Sequence, residues 1–257
     1  MVRTTAAAPP EPAPSGPQLG ITPRPPFSWR QTLAALRGFE AVPDRGRVAL
    51  GAPEAWELAL RVGSGAGRRV VRVRLAPSGG ASASDLRLTF DHGDALTLEQ
   101  AADAWTELGS FLALHLDLAP LVAAAADDPA FAPVERALHG FHPPRFRNAF
   151  QAACWCVVRQ RTPQRFAVAT MRRLTELLGE AVVVEGAEPL PLFPAPEALA
   201  HGAREPLLQA TNNLRKVERL EGVARAFVGV DEAELRRAGY DEVHRWLGSL
   251  PGLGPWS

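Results

Sequence analysis

Seven arginines and no aspartate or glutamate lie between His142 and Arg173 of this 257-residue chain: Arg145, Arg147, Arg159, Arg161, Arg165, Arg172 and Arg173. Arginine keeps its charge and presents a planar fork of N–H donors, so such a run suits a face that meets a phosphate backbone. A solvated helix face paired with acidic neighbours would look the same, and charge alone does not separate the two. The second pattern closes the chain. The helical stretch YDEVHRWLGSL carries Val243, Trp246, Leu247 and Leu250 on one side and runs into Pro251-Gly252-Leu253-Gly254. These glycines are free to take positive φ, which makes a tight hairpin. A helix following such a hairpin would point unpaired N–H groups outward and form a ready anion site.

Other chemistries are missing. There is no Walker-type loop, no HExxH, no GxSxG and no carboxylate pair in an obvious catalytic frame. The six histidines are scattered, and His142 and His244 read as surface or internally satisfied residues. Cys154 and Cys156 sit two apart in an apolar run, too close to bridge, and read as small buried side chains in a reducing compartment. No four-cysteine spacing exists for a metal centre, so neither metal nor cofactor is expected. The formal net charge is +0, so any nucleic-acid surface must come from local segregation of charge. Lys216 is the only lysine. The N-terminus lacks a continuous apolar signal region, and the most apolar stretch is interrupted by His115 and Asp117. No membrane partner is expected, and the location expected is cytoplasmic and nucleoid-associated.

The elements that must position these residues follow from periodicity. Residues 1–26 hold 8 of the 24 prolines and read as a disordered arm, with order beginning near Phe27. SWRQTLAALRGF reads as a short helix capped by Ser28 and stopped by Gly38. Three alternating runs follow, separated by Gly/Ser-rich turns. In the first, Trp56, Leu58, Leu60 and Val62 share a face; in the second, Val71, Val73 and Leu75 oppose Arg72 and Arg74; DLRLTF is the third. This predicts an antiparallel sheet with one face packed and one wet. From Thr97, a helix cap, the period becomes helical, with further helices expected near 117–127, 130–138, 147–160, 163–178, 195–201, 204–210, 213–226, 231–237 and 240–249. The fold class is α+β: an N-terminal α+β domain over 27–116 and an all-α domain over 117–257.

At this point the residues resemble a family. LPGLGPWS closely resembles the helix–hairpin–helix signature of the base-excision DNA glycosylase superfamily, and its tryptophan resembles that of the 3-methyladenine DNA glycosylase II branch, which acts on alkylated bases. FQAACWCVVRQRTPQRFAVATMRRLTELLGE is similar to that branch's two helices around a Gln-bearing turn facing DNA. LFPAPEALA, NNLRKVERLEGVARAF and LAPLVAAAADDPAFAPVERALHGFHPPRF are similar to further segments of it, and the N-terminal sheet resembles it more loosely.

The resemblance implies that Gln160 and Arg161 wedge into a duplex where a base has been extruded, with an arginine in place of the usual apolar wedge. Thr162, Arg165, Gly252 and Gly254 are the other expected DNA-binding residues. Trp256 is expected to line the base pocket, its π face suiting a cationic alkylated purine. The strand-cutting branch has a Schiff-base lysine where Trp256 stands, so hydrolysis alone is implied. The implied partner is double-stranded DNA containing damaged bases, and a monomer is expected. The family's catalytic aspartate lies beyond the hairpin and beyond residue 257, so the catalytic residue of this chain is unknown and truncation is expected. The alternative reading is a DNA-binding remnant that has lost the chemistry.

Overall fold

The structure, a computed structural model, describes residues 16–49, 52–63, 65–79, 85–90, 96–183 and 188–254. Five strands, β1 (Gln18–Ile21), β2 (Arg47–Ala49), β3 (Ala52–Val62), β4 (Arg69–Pro77) and β5 (Leu86–Phe90), form an antiparallel sheet in the order β1-β5-β4-β3-β2. Helix α1 (Trp29–Gly38) lies in the chain between β1 and β2, and α2 (Leu98–Phe111) follows β5. Ser28 caps α1, and Thr97 caps α2 in a reciprocal box with Gln100, as their side-chain chemistry predicts. The alternating apolar residues of β3 and β4 face a first core with Leu33 and Leu36 of α1 and Leu108 and Phe111 of α2.

Two expectations for this half need correction. Residues 16–26 are not all arm: Gln18–Ile21 pair with β5, and Ile21 is buried. Low hydrophobicity and many prolines masked a four-residue edge strand, where proline nearby costs little. The part of that arm spanning 1–15 lies outside the described residues. Nor is the second sheet face wet. Glu57 on it is fully buried and accepts from Arg47 and Arg72 at 2.7 and 3.1 Å. The cover is a short hairpin, β6 (Glu180–Val182) and β7 (Leu190–Leu192), whose Leu190 and Leu192 pack with Ala59. Glu180 of this hairpin is held by Arg61 and Arg68 at 2.7 and 2.6 Å. The arginines expected in water are thus the ion-pairing layer beneath a lid that is distant in sequence.

The helical half contains α3 (Ala119–Ala126), α4 (Ala132–Ala137), α5 (Ala149–Arg159), α6 (Gln164–Leu178), α7 (Pro196–His201), α8 (Arg204–Thr211), α9 (Leu214–Phe227), α10 (Glu232–Arg237) and α11 (Tyr240–Ser249). The segment carrying α3 and α4 bonds to the N-terminal half, through Arg24 to Asp117 at 2.6 Å, Gln31 to the Ala137 carbonyl at 2.7 Å, and the Ser28 amide to the Gly140 carbonyl at 2.8 Å. A second core forms where α5, α6 and α9 meet, around Phe150, Val157, Met171, Leu174, Val217, Leu220 and Phe227. Their spacing of three and four puts each set on one helix face. Leu250 is buried in this core, with Trp246 and Leu247 against it, so α11 turns its apolar side inward as its pattern predicts.

Arg147 joins the halves, which corrects its place in the basic run. It is 1% exposed and donates to Glu107 at 2.7 Å and to the Asp44 and Ala59 carbonyls at 2.8 Å each. The Asp44 carboxylate in turn accepts from Gln151 at 2.6 Å and from the Phe193 amide at 3.0 Å. Arg147 is therefore unavailable to a ligand. His142 is also fully buried, its ring nitrogens 2.7 and 2.9 Å from the Ala113 and Pro26 carbonyl oxygens, the internally satisfied outcome. Cys154 is buried and Cys156 half-buried, both are free thiols, and burial pushes both thiols up. No helix among the described residues is long and apolar enough to cross a membrane.

Two outcomes are expected. Arg147→Ala strands Glu107 and Asp44 in a buried site and lowers the unfolding free energy by about 3–5 kcal/mol, read by urea denaturation. Burial pushes the Glu180 carboxyl up, but hydrogen bonds and charge from Arg61 and Arg68 outweigh it and hold the group below its ordinary 4.5. Its stabilising contribution is therefore complete above the ordinary carboxylate range and is lost as pH falls through the lowered value. Because the pair is partly exposed, Glu180→Gln removes that acid-side dependence at a cost of about 1 kcal/mol or less near neutrality, measured as urea midpoints across pH.

Candidate nucleic-acid interface

Helix α5 ends at Arg159, and the chain reverses through Gln160, Arg161 and Thr162 before Pro163 admits α6. Arg161 takes φ +49°, the left-handed region that non-glycine residues avoid. Such strain persists only where surrounding bonds over-determine it. Here the Thr162 amide donates to the Arg159 carbonyl at 3.1 Å, and the Thr162 hydroxyl donates to the Gln160 carbonyl at 3.0 Å. The Arg161 side chain is left exposed on top of the turn.

The rest of the support comes from α9. Asn213 caps it, accepting from the Lys216 amide at 3.1 Å. Lys216, Arg219 and Gly222 follow at intervals of three, which puts them on one face of the helix. The Lys216 ammonium donates to the Val158 carbonyl at 2.6 Å and to the Thr162 hydroxyl, closing the carbonyl end of α5. Arg219 donates to the Gln160 side-chain carbonyl, and the Gln160 amide nitrogen donates to the Gly252 carbonyl of the hairpin. The hairpin is a turn closed by the Leu253 amide on the Leu250 carbonyl at 3.0 Å. Gly252 has φ +86°, and a Cβ there would lie 2.5 Å from Cδ of Arg219. Gly222 is crowded too, though less severely: its Cβ would stand 3.1 Å from Cγ of Pro251. A glycine in a helix interior costs about 1 kcal/mol against alanine, and here it lets the hairpin lie on the helix.

Between the turn and the first turn of α9 is a concavity of about 510 Å³, lined by Arg161, Arg215, Lys216 and Arg219 with Gln160, Thr162 and Asn213. Among the described residues, four cations and no carboxylate line it. Burial pushes the Lys216 ammonium down, and the charge of Arg219 adds to that. Like charges held together here are what an anion would relieve.

The structure thus brings Gln160, Arg161, Thr162 and Gly252 together. Arg165 lies outside the concavity, on the first turn of α6, its guanidinium 4.7 Å from the Phe166 ring centre. Gly254 follows the hairpin without lining the concavity, and Trp256 lies outside the described residues. Sequence reasoning missed Asn213, Arg215, Lys216, Arg219 and Gly222 as parts of the site. The available signals were a mid-helix glycine and two cations, Lys216 and Arg219, spaced at three on its face. Among the described residues, no group of three or more His, Cys, Asp or Glu is placed to hold a metal ion.

Gly222→Leu is expected to lift the hairpin off α9 and lower the unfolding free energy by about 1–3 kcal/mol, the range of overpacked sites. Arg215→Ala, on the exposed rim, should stay within about 0.5 kcal/mol of the original chain in the same urea titration.

No family model matches the chain. A DNA-3-methyladenine glycosylase from Bacillus subtilis (strain 168) is 25% identical over 146 residues, which is 56% of this chain and 48% of that protein. The match thus spans about half the length of that relative. Among solved structures, a 3-methyladenine DNA-glycosylase from Archaeoglobus fulgidus superposes with TM-score 0.73 at 19% identity, covering 93% of this chain and 76% of that one. An 8-oxoguanine glycosylase/lyase from Clostridium acetobutylicum superposes with TM-score 0.51 at 13% identity, covering 79% and 74%. The same enzyme bound to double-stranded DNA gives TM-score 0.51 at 13% identity, covering 76% of this chain and 65% of that one. With its antiparallel sheet, its helical core and the hairpin seated beside a strained turn, the chain has the fold of these solved DNA glycosylases.

Proposed function

We propose that this chain acts in base-excision repair, binding double-stranded DNA at damaged bases as an alkylated-purine glycosylase that hydrolyses the N-glycosidic bond. The observation that carries this reading is the joining of Gln160 and Gly252, which seats a glycine hairpin against the strained, arginine-tipped turn that lines one cationic hollow. Arg161 is exposed and long enough to enter a duplex, where it would occupy the space of an extruded base. The cations beside it would neutralise the phosphates flanking that position. Hydrolysis without strand cleavage fits the one lysine of the chain, whose ammonium is already committed to Val158 and Thr162.

The absence of any carboxylate among the described residues lining the hollow favours a second reading, DNA binding without excision. One experiment separates them. The 257-residue chain is incubated with alkylated duplex DNA, and free 3-methyladenine is measured by chromatography while binding is titrated against salt. Release establishes the glycosylase reading. Salt-dependent binding without release establishes the second, and absence of both overturns the DNA assignment. Arg161→Ala should cut release, or duplex affinity if nothing is released, by about tenfold or more, on the scale of one or two charge-assisted contacts.

A further inference from the structure

We propose that Arg219 is a positioning residue that couples the turn at Gln160–Thr162 to the hairpin at Pro251–Gly252, so that the two move as one surface. Its guanidinium donates to the Gln160 side-chain carbonyl, which aims the Gln160 amide nitrogen at the Gly252 carbonyl. Its aliphatic stem fills the space above Gly252, where a Cβ would meet Cδ, Cγ and Nε at 2.5, 2.9 and 3.1 Å. One side chain therefore contacts the hairpin through its methylenes and the turn through its charged end. The two loops are 92 residues apart in the chain. Lys216, one turn earlier on the same face, holds the turn alone, through Val158 and Thr162. Removing Arg219 leaves Gln160 free to rotate and leaves Gly252 with open space over a backbone already at positive φ, the freedom glycine readily uses. Loops held chiefly by a few hydrogen bonds open locally once those bonds are lost.

This inference rests on the proposed DNA-binding role only in its last arm. Hydrogen exchange is followed by mass spectrometry on the full chain without DNA, in segments 157–164 and 249–254. Arg219→Ala should speed exchange in both segments together by about tenfold, the worth of a charge-assisted hydrogen bond. Arg219→Lys, which keeps the stem and a donor, should restore most of the protection in both, whereas Arg225→Ala, a charge lost elsewhere on α9, should change neither. A response in one segment alone, or in neither, overturns the coupling. Should Arg219→Ala fail to fold, Arg219→Met keeps the stem and removes the donors, and it should loosen the turn and the Gln160–Gly252 bond while the second core stays protected. In the last arm, a duplex carrying 2-aminopurine reports base extrusion. Arg219→Ala should lose a clearly larger share of the emission rise than of the affinity, because the turn loses its support while one of four lining cations is removed. Emission and affinity falling in step would reduce Arg219 to one more phosphate contact. If the original chain binds no duplex, the DNA reading fails, and the exchange result still decides the coupling.

Discussion

The last turn of α5 presents carbonyl oxygens that no further helical turn can satisfy, and α9 packs against that end of it. Lys216 meets that demand by placing its ammonium on the Val158 carbonyl. From this one contact the rest of the interface takes its register. Residues three further along the same face, Arg219 and Gly222, receive Gln160 and Pro251. The interface is thus a property of one helix face, and the loops it holds are set by donors and by close approach more than by their own sequences.

A different constraint joins the two halves. Arg147 is taken fully out of water, which is tolerable only because Glu107, Asp44 and two carbonyls surround it. Asp44 extends this joint to α5 through Gln151 and to the covering hairpin through the Phe193 amide. Glu232 adds to it from α10, accepting from the Ala149 amide at 2.8 Å, although burial pushes its carboxyl up. The sheet and the second core are therefore locked at the opposite end of α5 from the turn at Gln160.

In the cationic hollow, a chain of zero net charge gathers four cations with no carboxylate among the described lining residues. Confining like charges costs free energy in the free protein, and a phosphate returns it. A fold likeness alone would say nothing of ligand. The chemistry of this hollow, set beside a turn whose backbone is strained at Arg161, is what points to nucleic acid.

Much of this was legible in order along the chain. Thr97 and Ser28 announce helix starts through local side-chain capping; Gly252 announces a turn through its missing Cβ; and periods of two and three to four separate strand from helix. These are short-range effects, so a linear reading reaches them. The same reading put Arg72 and Arg74 in water and Arg147 in an exposed basic run, because burial of a charge is decided by partners far away in sequence: Glu57, the β6–β7 hairpin and Asp44. It likewise passed over Arg219, whose role exists only where Gln160 and Gly252 arrive together. The sequence by itself determined the elements and the turn, through local sterics and hydrogen bonding. The tertiary structure alone decided which cations face a ligand, because that depends on which of them find a buried carboxylate first.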